Sequence, residues 1–191
     1  SKNITSQYGE DGIIEYLINT SKSAIKKSCF EVGAGDGRTH SNTFCLWNNK
    51  SWPALLVEAN PERYNLLKRN FESYDNVSIC TDYLEIRGKN SVDDLILSRL
   101  PKGLSDVGVM SIDIDSFDYH IFKNMYKIKP QIVIIEFNNY IPPYIDYFDP
   151  EGKVFLRCSA KAIERLANEK GYRMVACTVT NAILLREDCF D

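Results

Sequence analysis

The sequence predicts an α/β protein: a mostly parallel sheet in three layers, with one antiparallel strand at its edge, supplied by a C-terminal hairpin. Three observations predict it. Short apolar runs rich in β-branched residues alternate with stretches of helical apolar spacing along the whole chain. The connections between them are short. Residues 28–38, SCFEVGAGDGR, run from an apolar strand directly into Gly33, Gly35 and Gly37, a loop whose missing Cβ atoms let backbone approach a ligand.

The elements follow in order. Ile13, Ile14, Leu17 and Ile18 mark an amphipathic helix after SQYGEDG. Residues 28–32 form the first strand, and 41–49, with Phe44, Leu46 and Trp47, a helix following the glycine loop. Residues 54–58 form the second strand, and Pro61 starts a helix carrying Tyr64, Leu67 and Phe71. A short third strand spans 77–80, and a helix over 92–100 stops at Pro101. The fourth strand covers 107–112, a helix 119–126, and the fifth strand 132–137. Ser159 caps the last helix, and 172–178 with 182–186 make the hairpin. The segment 139–155 is aromatic and irregular, with Pro142 and Pro143, and reads as a lid, a sheet-edge cover or a dimer contact.

A chain of 191 residues with 44% hydrophobic and 26% charged residues suits one domain over 1–191. The net charge of -3 argues against a protein that wraps nucleic acid. There is no apolar run long enough for a membrane span. The six cysteines form no CxxC pair, which argues against structural zinc and for reduced thiols in a cytoplasmic setting. Cys29, Cys80 and Cys177 fall in predicted strands and are expected in the core, and Trp47 and Trp52 are expected to pack around the first helices. The start at Ser1, without methionine, points to processing or to a piece of a longer protein.

Ligands of such sheets bind beyond the carboxyl ends of the strands. That rule gathers Glu31, Glu58, Asp82, Asp113, Asp115, Glu136 and Asn138 onto one rim. Glu58 lies 21 residues after Gly37, where a carboxylate can accept hydrogen bonds from a ribose diol. Glycine loop and acid together read as a nucleoside-cofactor site.

The motifs SQYGEDG at 6–12, FEVGAGDG at 30–37, LLVEANP at 55–61, SIDIDSFDYHIF at 111–122 and IIEFNN at 134–139 resemble those of the FkbM-like family of Rossmann-like, S-adenosylmethionine-dependent O-methyltransferases. The closing VACTVTNAILLRED is similar to that family's antiparallel hairpin. The resemblance implies S-adenosyl-L-methionine as cofactor, with Glu31, Gly33 and Gly35 at its methionine part, Glu58 on the ribose, Asp82 on the adenine and Asp113 near the sulfonium. Gln7 and Tyr8 resemble the family's N-terminal cofactor-side motif, although Gln7 serves equally as a helix-start residue.

Asp113-x-Asp115-x-x-Asp118 departs from the commoner family form and is more like the metal-dependent sugar O-methyltransferases. Asp113 and Asp115 with Glu136 or Asn138 could hold Mg²⁺ or another divalent cation, which would activate an acceptor hydroxyl; capping by Asp115 or Asp118 is the plainer explanation. His120 is the preferred general base, with His40 at the site's mouth as the other candidate. The expected activity is O-methylation of a small polar acceptor, foremost a sugar hydroxyl of a glycan, which would associate or fuse the domain with glycosyltransferases. An RNA ribose 2′-O-methyltransferase and a non-catalytic cofactor-binding scaffold are the alternatives. The oligomeric state is open.

Overall fold

The computed structural model describes residues 3–99 and 106–190. In chain order these form α1 (Glu10–Thr20), β1 (Cys29–Val32), a π-helical turn (Cys45–Asn49), β2 (Ala54–Val57), α2 (Pro61–Phe71), β3 (Val77–Cys80) and α3 (Val92–Arg99). There follow β4 (Val109–Ile112), α4 (Asp118–Asn124), β5 (Ile132–Glu136), α5 (Ala160–Glu169), β6 (Tyr172–Cys177), β7 (Asn181–Arg186) and a 3-10 turn (Glu187–Cys189). The expected stop of α3 at Pro101 lies outside the described residues. None of the described helices is long and apolar enough to cross a membrane.

The seven strands lie in the order β3-β2-β1-β4-β5-β7-β6. β1 to β5 are parallel, and the hairpin joins through β7, antiparallel to both β5 and β6. The antiparallel strand is therefore inside the sheet, and β6 forms the edge. Burial explains the placement. Ala182 to Leu185 of β7 are buried on both faces, as an interior strand requires, whereas β6 is half-exposed beyond Tyr172.

Alternation along the strands divides the core in two. Phe30, Val32, Leu55, Val57, Met110 and Ile112 face α3, α4 and α5. Cys29, Ala54, Leu56 and Val109 face α1, α2 and the π-helical turn. Trp47 and Trp52 are buried in this second core, and Trp47 packs edge-on against Phe44 and Phe71. Cys29 and Cys80 are buried, but Cys177, at the end of the edge strand, is exposed.

Two helix starts follow from local chemistry. Asn60 Oδ1 accepts from the N–H groups of Glu62 and Arg63 at the head of α2, and Ser159 Oγ from that of Ala162 in α5. The helix expected over 41–49 is only the single π-helical turn. Ser41 and Thr43 donate their hydroxyls, and Asn42 its N–H, to Glu31 instead, so the chain clamps a carboxylate before it begins to coil.

Candidate active site

Strand register alone brings the rim together. Val32 pairs with Val57 and Ile112, and Ile112 with Ile135. Each next residue is Gly33, Glu58, Asp113 or Glu136, so the four stand in one row at the carboxyl edge. The row crosses the point between β1 and β4 where the chain changes direction of travel through the sheet, which is where such sheets open a crevice. A cleft of about 590 Å³ opens there, lined by Gly33, Gly35, Glu58, Asp82 and Asp113 among others.

The glycine loop is held at both ends. A Cβ on Gly33 (φ +80°) would stand 1.6 Å from the Asp113 carbonyl oxygen, so only glycine lets β1 and β4 end this close together. Gly35 (φ +58°) has nothing within 4 Å of its would-be Cβ, leaving a bare backbone surface on the cleft. Its N–H donates to Glu58 Oε2 at 2.7 Å, and the Asn60 N–H donates to Glu58 Oε1 at 2.7 Å. Glu58 thereby ties the glycine loop to the head of α2. Each of its oxygens keeps a further lone pair for a ligand.

Glu31 lies two residues before Gly33 of the rim, paired with Ser111 across β1 and β4. Its carboxylate takes the Ser41 and Thr43 hydroxyls at 2.6 and 2.7 Å and the Asn42 N–H at 2.9 Å. Burial outweighs these bonds and pushes its pKa up to about 7. Glu31 thus anchors the segment under the cleft as well as lining it. Asp82 lies just past β3 on the same cleft, bonded to Arg99 Nη2 at 2.7 Å.

On the β4–β5 side, carboxylate oxygens of Asp113, Asp115 and Glu136 lie within 4.8 Å of one another. That spacing suits a hard cation with ligands at ~2.0–2.6 Å. Yet Arg157 Nη1 donates to Asp115 Oδ1 at 2.9 Å and also to Glu136 Oε2. A guanidinium holds two of the three expected ligands, and the trio does not fit a divalent ion while it is seated there. Asn138 is not part of the group: its Oδ1 accepts from the Tyr140 N–H, and its Nδ2 donates to the Leu156 carbonyl. Burial raises the pKa values of both Asp113 and Glu136, and their mutual repulsion adds to the effect on Glu136. Asp118 is buried and accepts from the N–H groups of Ile114 and Ser116, organising the loop after β4.

The two histidines part company. His40 is exposed and lines the cleft. His120 is buried, donates from Nε2 to the Asp149 carbonyl at 2.7 Å and packs edge-on to Phe148; it does not line the cleft. Gln7 and Tyr8 are exposed on the turn before α1 and likewise do not line it. Next to them, buried Glu10 accepts from the Tyr8 N–H, Thr178 Oγ1 and Asn181 Nδ2, fastening that turn to the β6–β7 hairpin.

Three contributors were not apparent in the sequence: the Ser41–Thr43 clamp, Asp149 and Arg157. The first lay inside an apolar pattern of helical spacing. Asp149 lies in the aperiodic segment 139–155 and Arg157 just beyond it, before α5, where no spacing rule predicts a partner.

No family model matches the chain, and no curated protein matches it. Solved structures do. The structure of LepI in complex with SAM aligns over 97% of this chain and 49% of its own, with TM-score 0.53 and 12% identity. A putative caffeoyl-CoA O-methyltransferase from Staphylococcus aureus aligns over 96% and 85%, with TM-score 0.54 and 18% identity. The METTL16 MTase domain aligns over 93% and 66%, with TM-score 0.56 and 13% identity. The chain thus spans about half the length of LepI. At these identities the likeness shows the fold: a Rossmann-like methyltransferase sheet, mostly parallel, closed by an antiparallel hairpin.

Proposed function

We propose that residues 1–191 form one S-adenosylmethionine-dependent methyltransferase domain that O-methylates a small polar acceptor, foremost a sugar hydroxyl of a glycan. The observation that carries the cofactor is Glu58. Its buried carboxylate is held by two backbone N–H groups at the edge of a cleft also lined by the bare backbone of Gly35. A ribose diol supplies the two donors that such a carboxylate can still accept. Asp82 lines the same cleft, and beside its bond to Arg99 its carboxylate can accept from an exocyclic amine.

Bound S-adenosylmethionine supplies an electrophilic methyl group. On the acceptor side, Asp113 lies at the rim between glycine loop and acidic cluster. Its raised pKa suits it to take the proton that a hydroxyl gives up as its oxygen attacks. His40 is the second group on the cleft able to carry that proton onward.

The lining favours a small acceptor over a nucleic acid. Among the described residues lining the cleft, five carboxylates, Glu31, Glu58, Asp82, Asp113 and Asp115, outnumber the basic Arg63 and His40, and outside the lining Arg99 and Arg157 each pair with one of them, an acidic excess that disfavours a polyphosphate backbone. Tyr83, 80% exposed on the cleft, offers a ring against which a sugar face can stack. The test is calorimetric titration with S-adenosylhomocysteine, followed by transfer of labelled methyl from S-adenosylmethionine to a panel of oligosaccharides and to RNA. Absence of saturable binding refutes the cofactor; labelling of RNA alone refutes the acceptor.

A further inference from the structure

The acidic cluster beside the cleft contains its own cation. Arg157 Nη1 bridges Asp115 Oδ1 and Glu136 Oε2, two of three carboxylates whose oxygens lie within 4.8 Å of one another. The Arg157 side chain is 24% exposed and that of Glu136 13%, so this pair is sheltered from solvent. Sheltered, charge-assisted contacts of this kind are stronger than surface ion pairs.

The backbone behind Arg157 is built to present it. Arg157 has φ +63°, a conformation that disfavours any side chain except where neighbours enforce it. The enforcing group is Asp149, 3% exposed, whose carboxylate accepts the N–H groups of Phe155, Leu156 and Arg157 and the Tyr147 hydroxyl. Asp149 is positioned in turn by His120, which donates to its carbonyl. On either side of this turn, Phe148 pairs with Cys158, and the Cys158 carbonyl accepts the Asn138 N–H.

We propose that Arg157 is a tethered cation that occupies the place of a divalent ion among Asp113, Asp115 and Glu136, and that it latches the insert between β5 and α5 onto the rim. A free ion needs the oxygens that Arg157 already holds, so the two are mutually exclusive. Arg157 is a positioning residue: it fixes the acidic wall and the insert, which reaches the cleft through Val154. The inference concerns the cluster alone and stands or falls apart from the cofactor.

The experiment is titration with Mn²⁺, followed by electron paramagnetic resonance, on the wild type, Asp115→Asn, Arg157→Gln, Arg157→Lys and Arg157→Gln/Asp115→Asn. Far-ultraviolet circular dichroism on each variant reports folding, and S-adenosylhomocysteine titration reports the cofactor site separately. The wild type and Arg157→Lys are expected to show no saturable binding. Arg157→Gln should gain one Mn²⁺ site, and the double variant should lose it. Saturable binding by the wild type that Asp115→Asn abolishes overturns the proposal, and so does a folded Arg157→Gln that gains no site. Should Arg157→Gln not fold, the wild-type titration decides by itself.

Discussion

Glu58→Gln separates the two tasks of the carboxylate at the centre of the cleft. In the wild type each oxygen accepts one backbone N–H at 2.7 Å, from Gly35 and from Asn60. Glutamine keeps one acceptor and replaces the other with an NH₂ group. One of the two N–H groups then loses its partner and faces a second donor. Leaving a buried donor unsatisfied costs about 1–3 kcal/mol. For a chain of this length that lowers the melting temperature by roughly 2–12 °C. The ribose contact also loses its charge. A charge-assisted hydrogen bond contributes about 1.5–3 kcal/mol, which converts to roughly 10–150-fold weaker binding. The assays are calorimetry with S-adenosylhomocysteine and thermal unfolding, both run beside Glu58→Asp, which keeps the charge but shortens the reach. Affinity unchanged in Glu58→Gln refutes the ribose contact. A lower melting temperature with full affinity leaves Glu58 as a loop tie alone.

The two loop glycines Gly33 and Gly35 should fail differently. Gly33→Ala drives a Cβ into the Asp113 carbonyl and should destabilise the fold by at least ~3 kcal/mol, whereas Gly35→Ala meets no atom and should cost only ~1–2 kcal/mol of backbone strain while still blocking the cofactor. Chemical denaturation read beside S-adenosylhomocysteine binding checks this, and equal stability losses would contradict it. Glu31 should make stability depend on pH. Its folded pKa, about 7, is above the ordinary 4.5, so the folded state holds the proton more tightly than the unfolded one. That stabilising contribution is complete below about pH 4.5 and lost as pH rises through about 7, on the order of 3 kcal/mol in all. Denaturation midpoints across this range should slope downward in the wild type and less so in Glu31→Gln; Asp118, raised to about 7 by burial, leaves a residual slope of the same sign. Identical slopes would remove Glu31 as the cause.

The sequence by itself determined the alternation of strands and helices, because periods of 2 and 3.6 are written in apolar positions that each element buries on its own. It also placed Gly33, Glu58, Asp113 and Glu136 at strand ends, and parallel register then had to align them in one row. The cap at Ser159 was equally legible, since it acts within three residues of itself. Whatever depended on distant partners was not. Only the folded sheet shows β7 inside and β6 at the edge, because burial on both faces depends on what packs there. Helical spacing over 41–49 was overruled by Glu31, a carboxylate ten residues upstream of Ser41 whose burial demanded those donors. His120 is turned to the Asp149 carbonyl rather than the cleft, a direction set by an insert without periodicity. The acidic cluster was visible as acids, but its cation arrives from Arg157, 42 residues beyond Asp115, and only tertiary contact pairs charges at that separation.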